Sequence, residues 1–196
     1  MVHSPGSERG GSIPAPGLLI LTGPSHSGKT SVAREVLAAI APPVAYLSVD
    51  DILEHVLLRP PGDRWEQIPL AYELVARELG LLLDKAWFVI AESTFTYVPP
   101  SGDPELHNGI LAEWVAAAAS RRVPCLVAQL LAAPETILAR SQRTGRLDPA
   151  VIAGTVGLHA TIKLPARAEV VHTDELDAAE SARLIIGRLS TGQVSP

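Results

Sequence analysis

Eight consecutive residues, Gly23-Pro24-Ser25-His26-Ser27-Gly28-Lys29-Thr30, constrain this chain more than any other feature. They spell G-x-x-x-x-G-K-T between a short apolar run, LLILT, and a stretch with Val32, Val36, Leu37 and Ile40 at helical intervals. Strand, loop and helix are the context in which such a string has a physical purpose. The glycines let the backbone wrap tightly, so that successive N–H groups turn inward on phosphate oxygens. The helix that follows adds its positive end. Lys29 would reach the β- and γ-phosphates, and the Thr30 hydroxyl would ligate Mg²⁺. Pro24, Ser25, His26 and Ser27 would contribute backbone, the His26 side chain pointing away.

The rest of the chain repeats the alternation. Leu18–Thr22, Val44–Val49, Trp87–Ala91, Val123–Leu131 and Glu169–His172 read as strands, because each is a short apolar run bounded by turn residues. Helical patterns occupy Thr30–Ile40, a short segment from Asp50, Leu70–Asp84, Pro104–Arg121, Pro134–Arg143 and Leu176–Leu189. Arg59–Pro69 and Phe95–Asp103 read as loops. This predicts a single α/β domain over 17–190, a five-stranded parallel sheet with helices on both faces. A mobile lid is expected near 140–150, around Thr144-Gly145. Residues 1–16 read as a flexible leader and 191–196 as a flexible tail. Ligands of such sheets bind beyond the carboxyl ends of the strands, which directs attention to the residues just after 22, 49, 91, 131 and 172.

Composition removes other classes. With 47% hydrophobic residues the chain cannot be disordered throughout. Sixteen basic against twenty-one acidic side chains give a net charge of −5, which implies no basic face for nucleic acid. The one cysteine, Cys125, allows neither an internal disulfide nor a thiolate metal cluster, and it reads as core. No uninterrupted apolar stretch is long enough for a membrane span, and the opening residues lack the apolar centre of a signal peptide, so a cytoplasmic protein is expected. A GTPase would carry an Asn-Lys-x-Asp guanine reader; the only asparagine, Asn108, is followed by Gly109. A motor or ring ATPase would carry an apolar strand ending in two acids and a trans-acting arginine. The third strand ends instead in Ala91-Glu92-Ser93, and the chain is short for such machines, so a small kinase is the best reading.

Such an enzyme needs a carboxylate at a strand tip to orient the acceptor hydroxyl and take its proton. Asp50, directly after VAYLSV, is in the right place; the alternative is that it caps the following helix. Asp51 is a first-turn acid beside it. Positive charge over the transferring group would come from Arg140, Arg143 and Arg146, which spacing by three puts on one side of a helix, although a solvated arginine face has the same pattern. An acceptor pocket would draw on Trp65, Gln67 and Tyr72, and on Glu92, Ser93, Thr94 and Tyr97 after the third strand, with core packing as the alternative for the aromatics. Glu92 could orient a Mg²⁺-bound water or the acceptor. His159 and His172 are further candidates for a ligand contact.

Taken together, LLILTGPSHSGKT, AYLSVDD, FVIAES, ARSQRTGR and GLHATI resemble the chloramphenicol phosphotransferase-like branch of small P-loop kinases over roughly residues 17–190. The resemblance implies a five-stranded parallel sheet like that of shikimate and nucleotide kinases. It also implies Asp50 as base toward an antibiotic hydroxyl, Lys29 and Thr30 on ATP and Mg²⁺, and Arg143 and Arg146 on the phosphates. One departure is Glu92-Ser93, where that family has two consecutive acids. The expectation is therefore phosphoryl transfer from ATP, with Mg²⁺, to a hydroxyl of a small molecule. A metabolic kinase and a nucleotide-binding regulatory module remain open beside the antibiotic reading, as does the oligomeric state. The acids near the acceptor side favour a neutral or cationic acceptor.

Overall fold

A computed structural model describes residues 16–41, 43–58, 67–97, 105–145 and 149–191, without the side chains of 97 and 149–151. The expected leader up to residue 15 and the tail from 192 lie outside it, as do Trp65 and Arg146.

Five parallel strands form the central sheet: β1 (Gly17–Thr22), β2 (Val44–Ser48), β3 (Phe88–Glu92), β6 (Cys125–Leu131) and β7 (Glu169–His172), in the order β2-β3-β1-β6-β7. Between β3 and β6 a two-stranded antiparallel ribbon intervenes, β4 (Thr96–Tyr97) against β5 (Glu105–Leu106). The helices are α1 (Lys29–Ala39), α2 (Val49–Asp51) continued by a π-helical turn (Ile52–Val56), α3 (Ile68–Asp84), α4 (Asn108–Ser120), α5 (Pro134–Thr144), α6 (Pro149–His159) and α7 (Ala178–Ser190). Among the described residues no helix is long and apolar enough to cross a membrane.

Strand β1 is buried at every position because it is flanked by β3 and β6 and covered on both faces. That is why LLIL is apolar throughout instead of alternating. Its side chains still divide by parity: Leu18 and Ile20 join the core under α3 and α4, with Trp114, Tyr72 and Phe95, whereas Leu19 and Leu21 join the core under α1 and α7. Two apolar layers thus hold the central strand from opposite sides, and all the strand tips emerge along one edge.

Some boundaries differ from the sequence reading, each for a local reason. Strand β2 ends at Ser48, whose hydroxyl accepts from the Asp51 N–H at 3.4 Å and so caps the helix one residue before the expected start. Helix α4 begins at Asn108, not Pro104, because Glu105–Leu106 pair with Thr96–Tyr97. Helix α6 carries two glycines, Gly154 and Gly157, and was not expected; its buried Ile152, Thr155 and His159 hold it against β4 and α5.

Candidate active site

The phosphate-loop sequence takes a conformation that explains its residue types. Gly23 has φ +145° and Gly28 φ +97°, both outside the range of ordinary L-residues. Gly23 also has no room for a side chain, since a Cβ there would lie 2.2 Å from the Leu130 carbonyl oxygen of the neighbouring strand. His26 is left-handed too, at φ 63°, so its peptide is turned out of the helical path. The Ser27 N–H closes the turn onto the Pro24 carbonyl at 3.2 Å. Gly28 is the N-cap of α1, which puts Lys29 and Thr30 in its first turn.

Lys29 is buried, and its ammonium donates to the Gly23 and Pro24 carbonyls, each at 3.0 Å. Burial pulls its pKa below the ordinary lysine value, and the Glu92 and Asp50 carboxylates work against that shift. Glu92 at the tip of β3 is also buried, although it is a carboxylate. Its Oε1 accepts from the Thr30 hydroxyl at 2.9 Å and from the Ser48 hydroxyl at 3.4 Å. Burial first, then the neighbouring Glu92 carboxylate, raises the Tyr46 phenol above its ordinary pKa, so that hydroxyl keeps its proton beside Glu92. Among the described residues Glu92 Oε2 meets no donor at full hydrogen-bond geometry, with the Tyr46 phenol its neighbour.

Asp50 is exposed and lines a cavity of about 880 Å³ that also takes in Lys29, Thr30, Glu92 and Arg140. The capping role that competed for Asp50 is filled by Ser48, which leaves the Asp50 carboxylate to face the cavity. Asp51 lies on the other side: it is exposed and pairs with His55 at 3.8 Å, outside the cavity lining. The π-helical turn presents Leu53 and Glu54 to the same space, and Ile68 and Tyr72 of α3 close its far wall. A single π turn beside a reactive group is a common functional device.

Tyr72 is almost wholly buried, shares a 2.8 Å hydrogen bond with the Ser93 hydroxyl, and stacks on Phe95 with ring centroids 6.0 Å apart. It packs in the core and also lines the cavity. Burial is the main cause that lifts its phenol above the ordinary pKa. Ser93, Thr94, Thr96 and Thr155 add residues with hydroxyls to the same lining.

The three arginines separate. Arg140 lines the cavity and donates to the Thr173 carbonyl at 2.6 Å, the Thr173 hydroxyl at 3.1 Å and the His26 carbonyl at 3.3 Å. Arg143 is exposed, bonded to its own helix at Ala139, and outside the cavity lining. Arg146, Trp65 and the Tyr97 side chain are outside the described residues. His159 is buried against Thr96, its pKa lowered to about 3 chiefly by burial, and His172 is exposed; neither lines the cavity. Cys125 is screened in β6, where burial pushes its thiol up to about 12, the behaviour of a core cysteine.

Sequence reasoning missed Thr173, Leu176 and Asp177, which follow β7 and complete the cavity wall. The expected position after residue 172 pointed to them, but nothing in the string HTDEL marks a site.

Among the described residues no group of three or more His, Cys, Asp or Glu could hold a metal by itself. The Thr30 hydroxyl and the Glu92 carboxylate are nonetheless the hard donors that suit Mg²⁺, an ion that protein sites usually hold through one or two carboxylates together with phosphate oxygens.

Comparison with known proteins bears on the family and the fold. The profile of one family, described as an AAA domain, matches residues 18–176. Among solved structures, a Chloroflexus aurantiacus protein provisionally described as a kinase superposes with a TM-score of 0.67 at 17% identity, covering 90% of this chain and 97% of that one. The tunicamycin resistance protein of Deinococcus radiodurans gives 0.58 at 13% identity, covering 92% and 98%. A mutant of the Mycobacterium tuberculosis APS kinase gives 0.56 at 14% identity, covering 90% and 98%. At these identities the likeness is one of fold alone. No curated protein matches the sequence significantly.

Proposed function

This chain belongs to the AAA domain family, and on that premise we propose that it is an ATP- and Mg²⁺-dependent phosphotransferase that moves the γ-phosphate to a hydroxyl of a small molecule, an antibiotic in the reading its resemblance to chloramphenicol phosphotransferase-like kinases favours. One observation carries the proposal. Asp50, relieved of capping by Ser48, opens onto the same cavity as Lys29, Thr30 and Glu92. A mere nucleotide sensor has no use for that carboxylate.

In this reading the acceptor hydroxyl lies between Asp50 and the γ-phosphorus. Its oxygen forms the new P–O bond, its proton passes to Asp50, and the bond from the γ-phosphorus to the β–γ bridging oxygen breaks, leaving ADP. The Lys29 ammonium exchanges the Gly23 and Pro24 carbonyls for phosphate oxygens, which costs little because one set of oxygen acceptors replaces another. Thr30 and Glu92 would hold the Mg²⁺, whose contribution when bound is to neutralise charge on the β- and γ-phosphates. Positioning and electrostatics supply most of the rate in such a transfer. Leu53, Ile68 and Tyr72 offer an apolar wall, and the Ser93, Thr94, Thr96 and Thr155 hydroxyls offer hydrogen bonds. With Asp50 and Glu54 beside them, this lining supports a neutral or cationic acceptor over an anionic one.

The test is a transfer assay with γ-labelled ATP and Mg²⁺ against a panel of hydroxylated antibiotics and common metabolites, run on the wild-type chain and on Asp50→Asn. Phosphorylation of one antibiotic class, reduced about 100-fold or more in kcat by Asp50→Asn with the KM for ATP unchanged, is the expected result. Activity confined to a metabolite would replace the antibiotic reading with a metabolic one. ATP binding without transfer to any acceptor would support a regulatory module. Equal turnover in Asp50→Asn would remove Asp50 from the chemistry.

A further inference from the structure

We infer that Thr173, at the carboxyl end of β7, is a positioning residue that sets the phosphate-binding loop, with Arg140 as its partner. Thr173 is buried, and its hydroxyl lies 2.7 Å from the Ser27 carbonyl and 3.2 Å from the Leu131 carbonyl. Its backbone N–H donates to Leu131 at 2.8 Å, so the residue is anchored to the strand pair β6–β7 before it reaches across to the loop. Arg140 binds both the hydroxyl and the carbonyl of Thr173, and extends to the His26 carbonyl.

Two consecutive peptide carbonyls of the loop, those of His26 and Ser27, are therefore held from outside by side chains 114 and 146 residues away in sequence. The carbonyl and N–H of a trans peptide point in opposite directions. Fixing the Ser27 carbonyl on Thr173 therefore turns the Gly28 N–H to the side away from Thr173, and so fixes the direction from which that amide can meet an anion. The left-handed His26 residue is a conformation that persists only where its surroundings enforce it, and the Arg140 contact is such an enforcement. Asp174 secures the other end: its carboxylate accepts from the Ala133 N–H at 3.0 Å, next to the start of α5, which carries Arg140. The β7–α7 loop thus ties the start of α5 to the phosphate loop in one hydrogen-bonded unit. Thr173 acts through the loop backbone and not on a reacting atom.

The inference rests on the proposed role of Gly23–Thr30 as a phosphate cradle, and the test separates the two. ADP and inorganic tripolyphosphate, each with Mg²⁺, are titrated calorimetrically at 15 °C into the wild-type chain, Thr173→Val and Thr173→Ser. The expected result is that Thr173→Val weakens both probes by about tenfold, equivalent to about 1.4 kcal/mol, whereas Thr173→Ser, which keeps the hydroxyl, binds both like wild type. A role in folding alone would leave affinity unchanged at a temperature where every variant is folded. Undiminished binding of both probes by Thr173→Val overturns the inference. Weakening of ADP alone also overturns it, because tripolyphosphate has no base and that outcome places Thr173 on the nucleoside. If Thr173→Val fails to fold, Thr173→Ala supplies the same pair of titrations. Failure of the wild-type chain to bind either probe would instead refute the reading of the loop itself.

Discussion

Replacing Gly23 by alanine tests the packing of the phosphate loop against the sheet. At φ +145° an alanine is strained whatever the space around it, which costs about 1–3 kcal/mol. Space is also lacking. The added methyl would sit 2.2 Å from the Leu130 carbonyl oxygen and 2.8 Å from the Ser27 hydroxyl. The hydroxyl can rotate away, but Leu130 is backbone in β6, fixed between β1 and β7. Strand and loop must therefore part by about 1 Å, and overpacking of that kind costs roughly another 1–3 kcal/mol. A middle value of about 4 kcal/mol, at about 2–4 °C per kcal/mol for a domain of this size, lowers Tm by about 8–16 °C. Gly187→Ala is the internal comparison: it lies within α7, a Cβ there meets nothing within 4 Å, and alanine is the better helix former by about 1 kcal/mol. Its Tm should rise by about 2–4 °C. Thermal denaturation followed by far-ultraviolet circular dichroism measures both. A Gly23→Ala protein that melts with wild type, or a fall in both variants, would refute the contact geometry at the tips of β1 and β6.

Two further outcomes follow from the buried ionisable groups. Glu92→Gln keeps an oxygen for the Thr30 hydroxyl but removes the charge that suits Mg²⁺, so the Mg²⁺ concentration for half-maximal transfer should rise about 10–100-fold; an unchanged requirement would take Glu92 out of the metal's surroundings. His159, at about 3 in the fold against about 6.5 unfolded, stays neutral while the unfolded chain gains a proton on acidification. Its contribution is therefore whole above about pH 6.5 and declines as the pH falls toward 3, by up to about 1.4 kcal/mol per pH unit. Urea denaturation between pH 6.5 and 4 should show a shallower decline for His159→Gln than for wild type; parallel slopes would contradict the neutral, buried imidazole.

The phosphate loop was legible from sequence because its chemistry is local: glycines where φ is positive, a lysine and a threonine opening a helix. The sheet was legible for a related reason, since strands covered on both faces are continuous apolar runs such as LLIL and FVIA, and parity along β1 follows from the period of two. The ribbon of Thr96–Tyr97 and Glu105–Leu106 was not, because its pairing joins two-residue segments across a Pro/Gly-rich stretch with no pattern of its own. Helix α6 escaped because Gly154, Thr155 and Gly157 are poor helix formers, and burial of Ile152 and His159 outweighs their propensity.

The candidate site divides the same way. Asp50 was placed by its position after a strand, but its freedom from capping depended on Ser48, two residues earlier, and on where β2 stops. Glu92 could be named as an acid at a strand tip, whereas its burial and its bond to Thr30, 62 residues away, required β1 and β3 to be neighbours. Arg140 and Arg143 look equivalent in the sequence, yet one lies over the cavity and the other in solvent: Arg140 is held by Thr173 and the His26 carbonyl, whereas Arg143, in the last turn of α5, folds back onto the Ala139 carbonyl. By itself the sequence determined the alternation of strands and helices and the loop that can cradle phosphate, because both arise from interactions within a few residues. Which carboxylate, arginine and threonine meet that loop was decided only by the tertiary structure, since those contacts depend on strand order, and strand order is set by the packing of the two apolar layers.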